Sequence, residues 1–168
     1  MLHIVYGGSA SGKSSYAESF AMSLQGEGRL LYIATMYPYK WNTTEIDPET
    51  MQRIERHRAM RADKGFDTVE CYRHVEHIVA KRQDVLLLEC MSNLLANEMY
   101  LEPDSNAGSD MAETMSPVSN KIVQALIDLS TRVQELVIVT NDVFSDGGSL
   151  TYDESTREYV KNLADIFL

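Results

Sequence analysis

A chain of 168 residues with 44% hydrophobic and 24% charged residues has the length and composition of one soluble globular domain with a sizeable core. Its formal charge of −10 excludes a nucleic-acid backbone as the main partner, so any anion site must be a local basic pocket. Cys71 and Cys90 are too few for a disulfide framework and lack metal-ligand spacing, and no apolar run is long enough to span a bilayer, so the expected setting is the cytoplasm, without membrane insertion.

The chain opens on a short apolar run, Leu2 to Tyr6, which predicts a strand and leaves no room for a signal peptide. Next comes Gly7-Gly8-Ser9-Ala10-Ser11-Gly12-Lys13-Ser14-Ser15. Gly7, Gly12, Lys13 and Ser14 fit the phosphate-binding loop pattern, in which two glycines with four residues between them are followed by Lys and Ser or Thr. Tyr16, Ala17, Phe20, Ala21 and Leu24 then recur at helical spacing. A strand before the loop and a helix after it form the context this motif needs. The chemistry explains the residue types. Glycines let backbone N–H groups curl round a triphosphate, and the helix aims its unpaired N–H groups at the same anion. The Lys13 ammonium reaches the outer phosphates, and the Ser14 hydroxyl suits a Mg²⁺ ligand.

Gly26 and Gly28 punctuate a turn, and Leu30-Leu31-Tyr32-Ile33-Ala34 reads as a strand buried on both faces, ending at Thr35-Met36. Residues 37–46 read as a loop in which Trp41 is a lid contact or a surface anchor. Asp47 as cap and Pro48 at the first turn start a helix expected to reach Lys64, with Gly65 as its stop. Residues 66–70 predict a short strand, and 75–81 a short helix. Residues 84–90 are the clearest buried strand, four aliphatics closed by Glu89. Helices are expected over 91–100, 117–134 and 153–167, a strand over 136–140 ending at Asn141-Asp142, and loops over 102–116 and 144–152. Alternating strands and helices imply an α/β fold with a mainly parallel sheet. Its ligands bind beyond the carboxyl ends of the strands, which gathers the loop, Thr35, Glu89 and Asn141 on one edge.

A second constellation lies in the helix after Asp47. Arg53, His57, Arg61 and Lys64 share one face, flanked by Arg56 and Arg58. Alone, such a helix reads as a solvated basic face with an incidental histidine. Beside a phosphate-binding loop in an acidic chain it reads as an anion site, where a neutral imidazole is a nucleophile toward phosphorus and guanidiniums stabilise the transferring charge. His3, His74 and His77 lack that setting. Glu89, closing a hydrophobic strand, suits a Mg²⁺ role or caps the next helix; Glu70 meets a nucleotide base or solvent.

Five motifs now stand in order: the Gly7–Ser14 loop, Tyr32-Ile33-Ala34-Thr35, Arg53-Ile54-Glu55-Arg56-His57-Arg58-Ala59-Met60-Arg61, Leu87-Leu88-Glu89-Cys90 and Val139-Thr140-Asn141-Asp142-Val143. Together they resemble the bifunctional adenosylcobinamide kinase/adenosylcobinamide-phosphate guanylyltransferase family of cobalamin biosynthesis. The resemblance implies a P-loop, RecA-like domain over 1–168 and a homotrimer, and the family carries a further helix portion and a last strand beyond the position of Leu168. It implies phosphorylation of adenosylcobinamide with ATP or GTP. It then implies transfer of GMP from GTP, by way of a guanylylated His57, to adenosylcobinamide phosphate, with pyrophosphate leaving. His57 and Lys13 would be catalytic. The nucleotide would lie on Gly7, Gly8, Ser9, Ala10, Ser11, Gly12, Lys13, Ser14, Ser15, Ala34, Thr35, Met36, Arg58, Ala59, Met60, Arg61, Glu70 and Glu89, with Mg²⁺ at Ser14 and Glu89. Two departures stand out: Ala10 occupies a position where the family commonly has Arg, and Phe144 onward replaces the usual Gly and later Pro. The competing readings are a plain P-loop small-molecule kinase and a nucleotide-binding protein that has lost turnover.

Overall fold

The computed structural model describes residues 1–101, 118–141 and 154–167. Within them, five strands form one wholly parallel sheet: β1 (Leu2–Gly7), β2 (Leu30–Ala34), β3 (Phe66–Glu70), β4 (Val85–Glu89) and β5 (Glu135–Asn141). The spatial order is β1-β5-β4-β2-β3, so β5 lies between the strand that feeds the phosphate-binding loop and the strand that ends in Glu89. This is the expected P-loop α/β architecture. The long predicted loops at 102–116 and 144–152, together with Pro117, Asp142 and Asp153, lie outside the described residues.

Because side chains alternate across a strand, the aliphatic runs feed two cores. On one face Val5, Leu30, Tyr32, Val85, Leu87, Val137 and Val139 pack under α1 (Lys13–Leu24) through Ala17 and Ala21. On the other, Leu31, Ile33, Leu86, Leu88, Leu136 and Ile138 meet α3 (Met91–Tyr100), α4 (Val118–Arg132) and α5 (Glu154–Phe167). The small Ala17 and Ala21 let α1 sit close to the sheet. That fixes the start of α1, and with it the loop, above the strand ends.

The remaining helix, α2 (Pro48–Arg61), is different: Arg61 is its one buried residue. Asp47 caps it by accepting from the Glu49 N–H at 3.3 Å. It stops three residues short of Lys64. The i+3 bonds from Ala62 N–H to Ala59 O and from Lys64 N–H to Arg61 O tighten the last turn, which runs into Gly65 at φ +72°. The helix expected over 75–81 is a correction: only Val75–His77 turns, as a 3₁₀ segment. Val75 and Ile78 are both buried, and their three-residue spacing imitates a helix. The chain then extends, and Lys81 N–H donates to Asp84 Oδ2 at 2.8 Å instead of continuing a helical ladder.

Candidate active site

The carboxyl ends of β1, β2, β4 and β5 and the inner side of α2 enclose a cavity of about 660 Å³. Its floor holds Ser9, Ala10, Lys13 and Ser14 from the loop and Glu89 from β4; Arg53, Arg56, His57, Arg58 and Arg61 of α2 complete it. Five permanent cations, Lys13 among them, thus line it with the carboxylates of Glu70 and Glu89. In a chain of net charge −10 this is a concentrated anion site.

The loop has the geometry of a phosphate cradle. Gly12 sits at φ +82°, a left-handed conformation that glycine adopts at no steric cost. From there its carbonyl takes the Tyr16 N–H at 3.0 Å and opens α1. Lys13 Nζ donates to Gly8 O at 3.1 Å, which holds the ammonium over its own loop. Ser14 Oγ donates to Glu89 Oε1, while Glu89 Oε2 is buried without a hydrogen-bond partner among the described residues. A hydroxyl and a buried carboxylate oxygen, both hard donors at the phosphate loop, fit the coordination preference of Mg²⁺.

The α2 side is built around Arg61. Its guanidinium carbon lies 3.4 Å from the centre of the Tyr32 ring, and neither Nε nor Nη1 has a hydrogen-bond partner among the described residues. Burial pushes the Tyr32 hydroxyl well above its ordinary pKa, and Glu89 adds to the effect, so Tyr32 stays neutral beneath the cation. Arg58 pairs with Glu70, which also accepts from the Tyr72 hydroxyl at 3.0 Å. His57 is half-buried on the same wall.

Most of the expected residues meet here, but not all in the expected way. Ala34, Met36, Arg58, Arg61, Glu70 and Glu89 are cavity walls with His57. Gly7, Gly8, Ser11 and Gly12 of the loop and Ser15 in the first turn of α1 do not themselves line the cavity. Thr35 is fully buried and serves the scaffold: its hydroxyl accepts from Cys90 N–H at 2.7 Å and donates to Cys90 O at 2.9 Å. Ala59 and Met60 are exposed and line no part of the cavity. Helical rotation accounts for this, since they fall between the inward positions 57, 58 and 61. Sequence reasoning missed Tyr32 and Asn93 as walls. A tyrosine inside an aliphatic strand looks like core filler, though a cavity-facing Arg on the next helix was a signal for it.

Among known proteins, the family model described as cobinamide kinase / cobinamide phosphate guanyltransferase matches residues 3–166. The chain belongs to this family. The bifunctional adenosylcobalamin biosynthesis protein CobU of Escherichia coli (strain K12) is 31% identical over 151 residues, which cover 85% of this chain and 76% of that one. The protein of the same name from Salmonella typhimurium (strain LT2) is 31% identical over 150 residues, with the same coverage. As a member of the cobinamide kinase / cobinamide phosphate guanyltransferase family, the chain is a transferase with both activities, and the plain-kinase and inactive-binder readings are not favoured.

Proposed function

We propose that this one cavity serves both half-reactions on adenosylcobinamide, with His57 as the guanylyl carrier. The observation that carries the reading is the pairing of a phosphate-binding loop with a histidine set among Arg53, Arg56, Arg58 and Arg61 on the opposite wall. In the kinase step the substrate hydroxyl attacks the γ-phosphorus of ATP or GTP, the bond from that phosphorus to the β,γ-bridging oxygen breaks, the nucleoside diphosphate leaves and the hydroxyl proton passes to solvent. The Gly8–Gly12 backbone and Lys13 hold the departing oxygens. In the second step a His57 ring nitrogen attacks the α-phosphorus of GTP, a P–N bond forms and pyrophosphate leaves. A phosphate oxygen of adenosylcobinamide phosphate then attacks the same phosphorus, the P–N bond breaks and the imidazole is recovered. Arg58 and Arg61 neutralise the charge that moves through this centre.

Ser14 and Glu89 would hold Mg²⁺, which when bound supplies charge neutralisation on the β- and γ-phosphates. We also infer a cytoplasmic homotrimer. Free thiols at Cys71 and Cys90 suit a reducing compartment, and the exposed Leu2, Ile4 and Tyr6 on outer strand β1 offer apolar surface for a neighbour. Light scattering in solution tests the oligomer.

The deciding experiment is incubation with Mg²⁺ and GTP labelled at the α-phosphate, then denaturation and intact-mass measurement. A GMP adduct that survives base, is lost in acid and vanishes in His57→Ala is the expected result. That variant should still bind GTP. Lys13→Ala should lose triphosphate affinity and both activities. A wild-type protein that binds GTP but forms no adduct would sink the carrier role.

A further inference from the structure

The nucleotide cavity does not account for the second substrate. Cobinamide is a corrin macrocycle much larger than a nucleotide base; its cobalt carries axial ligands on the ring faces, and its rim presents methyl groups and amides. A cavity of about 660 Å³ that takes a nucleoside triphosphate does not also hold so large a body, which needs a further surface of apolar and polar groups beside it.

Such a surface lies next to it. Tyr37 is the hub of an aromatic cluster, its ring centre 5.4 Å from both Tyr39 and Tyr72 and 6.4 Å from Trp41, which lies within 30° of parallel to it. Trp41 also meets the Tyr100 ring edge-on at 6.1 Å. The segment carrying these rings is folded: Tyr39 and Ile46 form an antiparallel bridge, and Asp47 N–H closes onto Pro38 O at 3.0 Å. Yet Trp41 remains 51% exposed. A tryptophan held in place with half its surface in water is an anchor for something apolar. Tyr37 and Tyr72 also line a groove of about 1090 Å³, bordered by the amide and hydroxyl groups of Asn42, Thr43 and Thr44. Glu70 and Tyr72 are walls of both the groove and the nucleotide cavity, so the two spaces adjoin at these residues.

We propose that this groove and the aromatic cluster beside it dock the corrinoid, with the apolar rim of the macrocycle against Tyr37 of the groove and the adjoining Trp41, its amides toward Asn42, Thr43 and Thr44, and its hydroxyl-bearing arm passing Tyr72 and Glu70 to the phosphates. The adjacency of the two spaces favours this occupant over a second copy of the chain, because the body of the substrate must lie where its arm reaches the transferred phosphoryl group. The inference rests on the functional reading above.

Trp41 is the sole tryptophan of the chain, so its emission is a built-in reporter. Titrating the full chain with dicyanocobinamide should quench that emission saturably, which reports binding. Location is read from kinetics. Trp41→Ala and Tyr37→Leu should raise the KM for adenosylcobinamide phosphate by about tenfold, the scale of one lost aromatic stack. Trp41→Phe should recover most of it. Self-guanylylation, which needs GTP alone, should be unchanged in all three. An unchanged corrinoid KM in Trp41→Ala, with self-guanylylation intact, overturns the docking surface and leaves the functional reading standing. Loss of self-guanylylation in that variant at an unshifted melting temperature would also overturn it, by assigning Trp41 to the nucleotide. So would wild-type emission that follows protein concentration rather than cobinamide, which marks an interface between copies. A wild-type chain that neither self-guanylylates nor binds cobinamide sinks the functional reading itself.

Discussion

Arg61 carries an unusual burden for a charged side chain. It is 5% exposed, and among the described residues neither its Nε nor its Nη1 has a hydrogen-bond partner. Removing a guanidinium from water costs several kcal/mol, and a desolvated aromatic face returns about 2 kcal/mol. An anion in the cavity would supply the balance, since Nε and Nη1 are unpartnered among the described residues. The Tyr32 ring stabilises the cation without consuming its N–H donors, whereas a carboxylate would both neutralise it and occupy them. Arg61→Met, which fills the volume without the charge, should therefore melt no lower than the wild type. Its triphosphate affinity should fall by about tenfold or more, in the range of one charge-assisted contact. Arg61→Lys should also bind poorly, since an ammonium cannot stack or fork. Thermal melting and GTP titration together decide the matter: a large loss of stability with unchanged GTP affinity would make Arg61 a structural residue. The sequence located this guanidinium by its helical spacing from His57. It left Tyr32 hidden, because alternation in a strand says which face a side chain takes but not that the face ends at a cavity.

Helix α2 is held to the body by polar ties more than by an apolar seam. Met51 and Ile54 are only partly buried, whereas Lys64 pairs with the buried Glu18 of α1 and Arg58 pairs with Glu70 of β3. These two pairs differ in kind. Arg58 and Glu70 are both about half-exposed, so the pair contributes less than about 1 kcal/mol and is screened by salt. Lys64→Ala instead strands a carboxylate that is 3% exposed, and should cost about 3 kcal/mol. Urea unfolding of Lys64→Ala and Arg58→Ala at low and high salt tests this; equal losses in the two variants would refute the distinction. The position of α2 was legible in Asp47-Pro48 and its function in the basic stripe. Its end was not, because the stop depends on how the 62–65 turn meets β3. The failed helix at 75–81 has the same origin. Two buried residues three apart satisfy a helical pattern and a 3₁₀ turn equally well, and only the bond from Lys81 N–H to Asp84 distinguishes them.

At the scale of the whole molecule, an acidic chain folds so that five of its cations gather at the carboxyl end of the sheet and its aliphatics fill both sheet faces. The two-sided runs at 30–34, 85–88 and 136–139 made a parallel sheet readable from the sequence. Its strand order, with β5 beside β1, was not readable, since each run would suit any interior position. One polar tie secures the opposite end. Asp84, 1% exposed, sits before β4 and takes the Arg29 guanidinium at 2.5 Å and the N–H groups of Arg29 and Lys81 at 3.0 and 2.8 Å. Burial alone would raise its pKa, but these donors outweigh burial and hold the carboxyl below its ordinary value of 3.8. The sign of the pH dependence follows. A carboxyl whose pKa is lower folded than unfolded adds stability that is fully present above the unfolded value and is lost as pH falls through the folded one. Asp84→Asn should therefore lose about 2 kcal/mol at pH 7, reduced from the cost of breaking a fully buried pair because Arg29 is 42% exposed. The gap between variant and wild type should narrow as pH falls below about 4. Comparing the two by urea unfolding cancels the general relief of self-repulsion that a chain of charge −10 gains in acid. A gap that stays constant from pH 7 to about pH 3 would mean that Asp84 acts through its shape and hydrogen bonds rather than its charge.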